Sequence, residues 1–445
     1  MTGSRFLVEA DNGSVLVDCG LFQGPRKIRK LNWSNPFLQS ALPDEILLTH
    51  AHIDHSGYLP RIVSAHGFAG AIRATPATVD LLSVMLPDSG RIQEEEAAYA
   101  NKKGYSRHEP ALPLYTEADA LVTLELMEPT PYHEWVAVPC GRARFSFAGH
   151  ILGSSHIALE HGDSRLVFSG DVGRWDIPVL RDPEPPGAAD VLLIESTYGG
   201  RSHHEGVDAD EMMAQVFDDI VESGGILIIP AFSIGRTQEI LFRIRALEEA
   251  ERIPSLPVFL DSPMAIDATE MYIRHHEEHD IEMQALEDSG SSPLRPQQLA
   301  FSRTVEDSKS LNELEGPAVI ISASGMATGG RVPHHLKRRL PRRENIVAFV
   351  GYQANGTPGR SLVDGTDAIR IHGREIEVRA RVIRLEAFSA HADEDELVRW
   401  VAEAVPDKII LVHGEREGRE ALARRFQAEF GVEVIQPRRG DTLHV

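Results

Sequence analysis

Short apolar runs alternate along the chain with segments whose apolar residues recur at the spacing of an α-helix. Apolar runs bounded by polar residues or glycine predict buried strands, and an apolar repeat of about 3.6 residues predicts a helix with one buried face. The predicted strands are Ser14 to Asp18, Glu45 to Thr49, Arg165 to Ser169, Val191 to Glu195, Gly225 to Pro230, Pro257 to Leu260, Ala318 to Ser322, Ile346 to Val350 and Lys408 to Val412. The predicted helices are Asp208 to Glu222, Thr237 to Ala250 and Gly418 to Phe430. This alternation predicts an α/β fold rather than an all-β fold.

Length and composition indicate a globular protein of more than one domain. A chain of 445 residues is long enough for two or three domains. Its apolar runs all stay well below the ~18 residues of a membrane span, so we expect a cytoplasmic protein with no membrane partner. The segments Pro183 to Gly187 and Leu286 to Gln298 are predicted loops. Only Cys19 and Cys140 are present, which excludes a disulfide framework and a thiolate metal site.

The charge distribution leaves the question of a polyanionic partner open. A formal net charge of -22 argues against such a partner, because phosphate binding depends on Lys and Arg. The segment Arg331 to Arg343, however, carries six cationic side chains and two histidines. Bound divalent metals would add positive charge that the formal count omits. The basic segment is therefore either a phosphate-binding surface or a solvated helix face.

Residues 50 to 55 read His-Ala-His-Ile-Asp-His and directly follow a predicted strand. His50 and His52 alternate on an extended segment, so both side chains can reach one metal ion. Asp54 and His55 lie one turn further on and are expected to hold a second ion. A solvated histidine-rich turn is the alternative. The density of ligand types after a buried strand favours the metal site.

Further candidate ligands follow other predicted strands, as a metal cleft requires. His150 follows an apolar run, Asp171 lies in Phe-Ser-Gly-Asp-Val-Gly, and His413 ends the run Ile-Ile-Leu-Val-His. A single His or Asp after a strand is more often a capping residue or a hydrogen-bonded polar residue than a metal ligand. The glycines around Asp171 are expected to let the backbone approach an ion closely. One ion is assigned to His50, His52 and His150, the other to Asp54, His55 and His413, and Asp171 is expected to bridge them.

This ligand set predicts hydrolytic chemistry. Two ions about 3.5 to 4 Å apart would share a water molecule, lower its pKa and present hydroxide to an electrophile. Zinc, at two ions per chain, is favoured because the site is rich in nitrogen ligands. Manganese and iron remain alternatives.

The same residues resemble a known family. The His-x-His-x-Asp-His motif, His150, Asp171 and an early Asp18 in Val-Asp-Cys-Gly resemble the metallo-β-lactamase superfamily, whose fold is an αββα sandwich with a binuclear metal site. In that family the residue at the position of Asp18 supports the metal loop without being a ligand. Four later segments resemble the inserted domain of the β-CASP branch, which cleaves nucleic acids: Ile229 to Glu239, Asp261 to Ala265, Ser322 to Arg331 and Val350 to Arg360.

The resemblance implies a domain order. Residues 1–200 would form the first part of a metallo-β-lactamase domain, residues 201–375 an inserted α/β β-CASP domain, and residues 376–445 the segment that completes the first domain. The insert is expected to cover the metal cleft and to form a channel for single-stranded RNA. Relatives usually begin ahead of the Thr-Gly-Ser at the start of this chain, so an edge strand is expected to be missing or to lie upstream of Met1. The resemblance also suggests a homodimer.

Three motifs of the branch map onto this chain. The acidic motif A resembles Glu195, motif B matches His391, and motif C matches His413. The resemblance implies that His391 is a general acid kept protonated by Glu195, because a neighbouring carboxylate raises the pKa of an imidazole. From the residues alone, Glu195 could equally be a helix cap and His391 a buried hydrogen-bonding residue. Together with Glu195 and His391, Asp54 is predicted to be a catalytic residue.

The motifs also bear on the substrate. In the family a histidine at motif C accompanies members that act on RNA. The Ser-Ala-His at residues 389–391 resembles endonucleases related to the pre-mRNA 3′-end cleavage subunit, whereas ribonuclease J-like exonucleases usually carry Ser-Gly-His. The resemblance therefore implies an endonuclease that hydrolyses RNA phosphodiester bonds by a hydroxide bridging two zinc ions. Arg331 and Ser389 are the predicted RNA-binding residues.

Three alternative functions are carried forward. A 5′–3′ exoribonuclease of the same family would degrade RNA from its 5′ end instead of cleaving it at internal bonds. A small-molecule hydrolase of the thioester type would not need the long insert between Glu195 and His391. An inactive RNA-binding homologue would have lost ligands, and this sequence keeps all seven candidates.

Overall fold

The computed structural model describes residues 3–36, 41–104, 106, 108–203, 208–351, 353–385 and 388–445. The chain forms two compact units. The first unit comprises Met1–Trp175, Asp182–Ser202 and His391–Val445, and the second comprises Asp176–Arg181 and His203–Ala390. None of the helices in the described residues is long and apolar enough to cross a membrane.

Two sheets form the first unit. The first sheet has the order β1-β2-β3-β4-β5, in which β1 and β2 pair antiparallel and the other neighbours pair parallel. Its strands are β1 Phe6–Ala10, β2 Gly13–Val17, β3 Glu45–Leu47, β4 Ile72–Ala74 and β5 Met127–Pro129. The second sheet has the order β20-β19-β10-β9-β8-β7-β6. Its strands are β6 Val136–Val138, β7 Gly141–Phe147, β8 Ser155–His161, β9 Ser164–Phe168, β10 Val191–Ile194, β19 Lys408–Leu411 and β20 Glu433–Ile435.

The two sheets pack face to face around one apolar core. Val17 and Leu47 of the first sheet are buried in the same cluster as Phe145, Ile157 and Phe168 of the second. Helices cover the sheets: α1 Arg26–Arg29, α2 Ile53–Ser56, α3 Leu59–His66, α4 Pro76–Lys103, α5 Glu117–Leu124, α13 Glu394–Ala402 and α14 Arg416–Phe430, with a 3₁₀ helix at Lys30–Trp33. The predicted α/β class is confirmed.

The second unit is built on a six-stranded parallel sheet of order β13-β12-β14-β11-β15-β18. These strands are β11 Ile226–Pro230, β12 Val258–Leu260, β13 Leu299–Phe301, β14 Ala318–Ser322, β15 Ile346–Val350 and β18 Arg381–Leu385, and a separate hairpin contains β16 Ala368–Ile371 and β17 Arg374–Glu377. Its helices are α6 Ala209–Ser223, α7 Arg236–Glu249, α8 Pro263–Arg274, α9 Ile281–Asp288, α10 Val305–Ser310, α11 Val332–Arg339 and α12 Pro358–Val363, with 3₁₀ helices at His276–Glu278 and Leu311–Glu313. Apolar clusters cover both faces of the sheet, as parallel sheets require.

Every predicted strand and helix is present, with each end within two residues of its predicted position. The loop predicted at Leu286 to Gln298 is partly wrong, because its first three residues end α9. The longest helix, α4, was not predicted, since Pro87 and Gly90 interrupt its apolar pattern. The Thr75 hydroxyl accepts a hydrogen bond from the Thr78 amide and caps α4 at its start.

A buried carboxylate organises the carboxyl end of the second unit's sheet. Asp261 is fully buried after β12 and accepts hydrogen bonds from His335 (2.6 Å), Ser308 (2.7 Å) and Arg331 (2.7 Å). Burial alone would raise the pKa of Asp261, but these hydrogen bonds outweigh burial and lower it. The guanidinium of Arg331 also donates to the carbonyls of Ser302 and Arg303. Arg331 thus joins three loops of the unit.

Replacing Asp261 with alanine is expected to lower the free energy of unfolding by about 3 to 5 kcal/mol, because it leaves the buried His335 without its acceptor and the partly buried Arg331 without its carboxylate. Urea unfolding followed by circular dichroism measures this. The control is Asp267→Ala, which breaks a partly exposed pair with Arg303 and should cost below about 1 kcal/mol. Equal losses in the two variants would show that Asp261 has no organising role.

Candidate metal centre

All the loops that carry the candidate ligands belong to the first unit and follow the carboxyl ends of its strands. The segment 50–55 follows β3, His150 follows β7, Asp171 follows β9, Glu195 follows β10 and His413 follows β19. The loops are bonded to one another through the backbone, because the Ser155 amide donates to the Thr49 carbonyl at 2.8 Å. Strands from both sheets therefore deliver their ligand loops to a common place.

Three imidazole nitrogens face one another in the first ligand group. His52 Nδ1 lies 3.1 Å from His50 Nε2 and 3.2 Å from His150 Nε2. Asp171 Oδ2 lies 3.6 Å from both of those Nε2 atoms. Donor atoms bound at about 2.1 Å to one tetrahedral zinc lie about 3.4 Å apart, and the separations in this group are similar to that spacing. A single proton can form a hydrogen bond within only one such pair of ring nitrogens, whereas one metal cation can bind all three nitrogens.

The other oxygen of Asp171 faces the second ligand group. Asp171 Oδ1 lies 3.4 Å from His55 Nε2 and 3.3 Å from His413 Nδ1. Asp54 Oδ2 lies 3.3 Å from His413 Nε2. Asp171 thus presents one carboxylate oxygen to each group, as expected of a bridging ligand.

Two buried atoms of this second group support metal binding directly. His55 Nε2 and Asp171 Oδ1 are buried and neither makes a hydrogen bond. Buried polar atoms are nearly always satisfied, so orphaned atoms that face one another indicate a missing partner. Imidazole and carboxylate donors are the ligands that zinc uses, and the residues present fit two divalent cations.

Asp18 and Thr49 hold the ligand imidazoles in orientation. Asp18 is buried and accepts hydrogen bonds from the Thr49 amide (2.8 Å) and from His55 Nδ1 (2.7 Å). Because Nδ1 of His55 is occupied by Asp18, its Nε2 faces Asp171. The Thr49 hydroxyl lies 3.0 Å from His50 Nδ1 and orients that ring in the same way. The place of Asp18 agrees with the supporting position that the resemblance implies.

Sequence reasoning missed two hydroxyl groups of the site. The sequence pattern predicts Thr49 only as the end of a strand, and it predicts no role for Thr197. The Thr197 hydroxyl lies 3.2 Å from His413 Nδ1 and 3.1 Å from the His413 carbonyl. The signal that could have found Thr49 is a hydroxyl residue directly before a candidate ligand, where it can bond to the ring.

Burial and charge set the protonation of the ligands. Burial lowers the pKa of His52 to about 4, and it holds the pKa of His50 well below its usual range, so both rings are neutral and able to bind metal. Burial alone would raise the pKa of Asp54, but the bond to His413 and the charge of His55 outweigh it and lower that pKa. For His55, burial is outweighed by the carboxylates of Asp171 and Asp18, which hold the pKa well above its usual value.

His391 lies beside both ligand groups and is held by Glu195. Its ring centroid lies 4.5 Å from that of His150 and 6.3 Å from that of His413. His391 Nδ1 lies 3.1 Å from Glu195 Oε1, and the Val172 amide donates to the same oxygen at 2.8 Å. No helix begins at Glu195 in the described chain, so its carboxylate is not a helix cap.

The Glu195 carboxylate favours the charged form of His391. Burial alone would lower the pKa of His391, but the charge of Glu195 and its hydrogen bond, with Asp171 and Asp54, raise it to about 9. The ring is therefore cationic at neutral pH. A protonated, partly accessible imidazole beside a metal centre is suited to donate a proton.

The glycines around Asp171 serve the packing of the ligand loops. A Cβ at Gly173 would lie 2.0 Å from the Gly149 carbonyl oxygen. A Cβ at Gly170, which has a φ of +56°, would lie 2.7 Å from Thr49 Cβ. The close approach that the structure shows is thus between neighbouring loops, and the approach to an ion stays a prediction.

The two predicted RNA contacts lie in the second unit. Arg331 is 20% exposed and its guanidinium is engaged by Asp261 and two carbonyls. Within the basic segment, Arg339 is buried and donates to the Leu311 carbonyl, so part of that segment serves the fold. Ser389 is buried. RNA binding by Arg331 and Ser389 stays a prediction.

Three family models match the chain. A model of the metallo-β-lactamase superfamily matches residues 3–217, a model of the Beta-Casp domain matches residues 237–362, and a model described as a Zn-dependent metallo-hydrolase RNA specificity domain matches residues 375–437. The three matches follow one another and cover most of the chain.

Similar proteins carry names that refer to RNA or transcription. Ribonuclease TTHA0252 of Thermus thermophilus is 36% identical over 446 residues, which is 100% of this chain and 97% of that protein. Transcription termination factor FttA of Pyrococcus horikoshii is 31% identical, over 99% of this chain and 69% of that protein. An RNase J-like protein of Methanocaldococcus jannaschii is 29% identical, over 98% of this chain and 96% of that protein.

A solved structure shares the fold. It is described as a protein of unknown function from Enterococcus faecalis, and it matches with a TM-score of 0.55 at 13% identity, over 99% of this chain and 96% of that one. At this identity the likeness concerns the fold alone.

Proposed function

Because the chain belongs to the metallo-β-lactamase superfamily and to its β-CASP branch, we propose that it is a metal-dependent endoribonuclease. The observation that carries the proposal is the arrangement around Asp171. Its two carboxylate oxygens face two separate groups of metal-ligand atoms, and the Glu195–His391 pair lies beside them. This arrangement suits hydrolysis of a charged ester, which needs charge neutralisation and a proton donor.

Seven residues would hold two divalent cations, which we propose to be zinc. His50, His52 and His150 would hold one, the second would be held by Asp54, His55 and His413, and Asp171 would bind both. When bound, the cations would lower the pKa of water and neutralise charge on the phosphate oxygens. Metal analysis of the purified protein distinguishes zinc from manganese and iron, which the ligand types also allow.

His391 is the proposed proton donor to the leaving oxygen. Its Nδ1 is held by the carboxylate of Glu195, so the proton would leave from Nε2. Glu195 acts as a positioning residue, because it is fully buried and fixes both the orientation and the charge of the ring. Asp54 contributes by holding His413 within the second ligand group.

The RNA substrate and internal cleavage are supported by sequence likeness. A relative that spans nearly the whole chain is named a ribonuclease. The Ser-Ala-His at residues 389–391 resembles the endonucleolytic members, and His413 stands where RNA-cleaving members carry histidine. A homodimer is part of the same proposal, and light scattering at several protein concentrations tests it.

Circular RNA tests the proposal most directly, because only an endonuclease can open a molecule that has no ends. We expect the protein to linearise an unstructured circular RNA, a chelator to abolish this cleavage by removing the metals, and added zinc to restore it. Single-stranded DNA of the same sequence and a thioester serve as competing substrates in the same buffer.

Each other outcome selects a different function. Mononucleotides released from linear RNA while the circle stays intact would indicate the 5′–3′ exonuclease. Turnover of the thioester alone would indicate a small-molecule hydrolase. Binding of RNA without turnover of any substrate, by protein that contains both metals, would indicate an RNA-binding homologue.

A further inference from the structure

A compact basic surface lies in the first unit at residues 26–30. Four of these five residues are cationic, namely Arg26, Lys27, Arg29 and Lys30, and all are exposed. They form α1 and the start of the following 3₁₀ helix. No Asp or Glu occurs in the sequence between Asp18 and Asp44, although the whole chain has 67 acidic residues. We call Arg26, Lys27, Arg29, Lys30 and Trp33 the basic patch.

The charge of the basic patch is not offset by neighbouring carboxylates in the described part of the chain. Within the part of the chain that the structure describes, none of the four forms an ion pair. Many exposed arginines elsewhere are paired, for example Arg142 with Glu160, Arg338 with Glu313 and Arg416 with Glu420. The basic patch thus carries four positive charges within five residues on a protein of net charge -22, and such a cluster attracts polyanions.

An exposed aromatic ring lies at the end of the same segment. Trp33 is 53% exposed, although tryptophan is mostly buried in folded proteins. The guanidinium of Arg61 lies 5.5 Å from the centroid of its ring and fixes it on one side. Arg61 is itself anchored through a hydrogen bond to the Leu114 carbonyl. The ring is thus held in place with an accessible face.

The loop that carries the basic patch is closed by the side chain of Asn32. The side chain of Asn32 is buried and bonds to the backbone of Phe22 in both directions: its Oδ1 accepts from the Phe22 amide at 2.9 Å, and its Nδ2 donates to the Phe22 carbonyl at 2.8 Å. These two bonds close residues 22–32 into one loop. The loop thus sets where the backbone presents the four cations.

The segment directly before this loop, residues 19–21, is joined to the metal centre through the backbone. The Cys19 amide donates to the His55 carbonyl at 2.6 Å, and the Leu21 amide donates to the Ile53 carbonyl at 2.9 Å. A Cβ at Gly20 would lie 1.6 Å from the Asp54 carbonyl oxygen, so the two segments are in direct contact. The loop that bears the basic patch therefore begins directly beside the segment 50–55, which carries four of the proposed metal ligands.

We propose that the basic patch is a docking surface for single-stranded RNA, with the four cations on successive phosphates and a base stacked on Trp33. Single strands are bound by cations that follow the backbone and by aromatic rings that stack on bases, which are the two elements found together here. The proposal rests on the proposed function in one respect, because it takes the docked strand to be the substrate of the adjacent metal centre.

The first test measures the salt dependence of RNA binding. A fluorescein-labelled, unstructured phosphorothioate RNA is titrated with the full-length protein, and fluorescence anisotropy is followed at several KCl concentrations. Each phosphate contact on a single strand contributes about 0.7 to the slope of log K against log salt. Replacing all four cations with glutamine should therefore reduce that slope by up to about 3 and weaken binding on the order of 10²-fold at about 0.1 M KCl.

A matched pair of double variants separates local contact from bulk charge. The variant Arg26→Gln/Lys27→Gln removes two charges from the basic patch, and Lys102→Gln/Lys103→Gln removes two exposed charges from the end of α4. Only the first should reduce the salt slope. An equal effect in both, or an unchanged slope in the fourfold variant, would overturn the proposal. Thermal melting followed by circular dichroism checks that all variants fold.

Trp33 is tested by its own substitution series. Trp33→Ala should weaken RNA binding roughly 5- to 150-fold, which is the usual contribution of one stacked base. Trp33→Phe should restore most of the affinity, because it keeps an aromatic face. Tyr99→Ala removes another exposed ring, on α4, and should leave binding unchanged. Equal binding by Trp33→Ala and the unchanged protein would remove stacking from the proposal.

The outcomes keep this inference apart from the proposed function. One outcome is that the unchanged protein fails to open circular RNA while the fourfold substitution still abolishes RNA binding. That result would support the docking surface and refute the endonuclease. Cleavage of circular RNA with an unaltered salt slope in the fourfold variant would refute the docking surface alone. Vesicles rich in phosphatidylserine are titrated as well, and if the substitutions affect only vesicle binding, the basic patch serves a membrane and the RNA proposal is wrong.

Discussion

Replacing Asp171 with alanine is expected to remove both metal ions and to reduce RNA cleavage on the order of 10³-fold or more. Its two carboxylate oxygens face the two ligand groups, so one substitution takes a ligand from each proposed ion. The loss also leaves His55 and His413 without the carboxylate that lies within 3.4 Å of each. Zinc content measured by mass spectrometry and the cleavage rate should therefore fall together.

Two further variants make the Asp171 experiment decisive. Asp171→Asn keeps the size of the side chain and removes its charge, so metal loss in this variant cannot be attributed to a cavity. Asp163→Ala is the matched control, because Asp163 is exposed in the turn that precedes the same strand, β9. Full metal content in both Asp171 variants would show that Asp171 does not bridge the two groups.

Replacing His391 with alanine should leave both metal ions bound and reduce RNA cleavage by about 10²- to 10⁴-fold, the usual contribution of a general acid. Its Nδ1 is held by Glu195, and its role is proposed to be proton transfer rather than ligation. Mass spectrometry of the variant decides between these roles. If the zinc content falls to one ion or none, His391 is a ligand and the assignment is wrong.

The leaving group provides a second criterion for His391. Bis(p-nitrophenyl) phosphate releases an anion that needs no proton, so the loss caused by His391→Ala should be much smaller with this ester than with RNA. Glu195→Gln removes the charge that holds the imidazole protonated and should show the same dependence on the leaving group, with a smaller loss. Equal losses with both substrates would exclude proton donation by His391.

The elements that the sequence predicted well are those with an unambiguous local pattern. Ala318–Ser322 and Ile346–Val350 have their predicted bounds, because strands buried on both faces leave an uninterrupted apolar run. The helix Pro76–Lys103 was missed, since its proline and glycine argue against a helix locally. It persists because Leu81, Leu82 and Leu86 are buried against the rest of the unit, and tertiary packing outweighs local propensity.

The candidate ligands could be found from the sequence because each one ends a strand or lies in one short motif. The local sequence pattern does not show which ligand atoms face one another in the metal centre. That Asp171 turns one oxygen to each ligand group, and that Asp18 and Thr49 orient the rings, depends on loops from two sheets meeting.

The sequence by itself determined nine of the twenty strands in the described residues, the ligand types and the kinship of the chain, because these depend on residues that are close together along it. Only the tertiary structure decided which cations are available. Arg331 lies in the obvious basic segment but is held by Asp261, whereas the less conspicuous cations at residues 26–30 are exposed and unpaired among the described residues. A charge acquires its role from the groups that surround it, and residues far apart in the chain supply those groups.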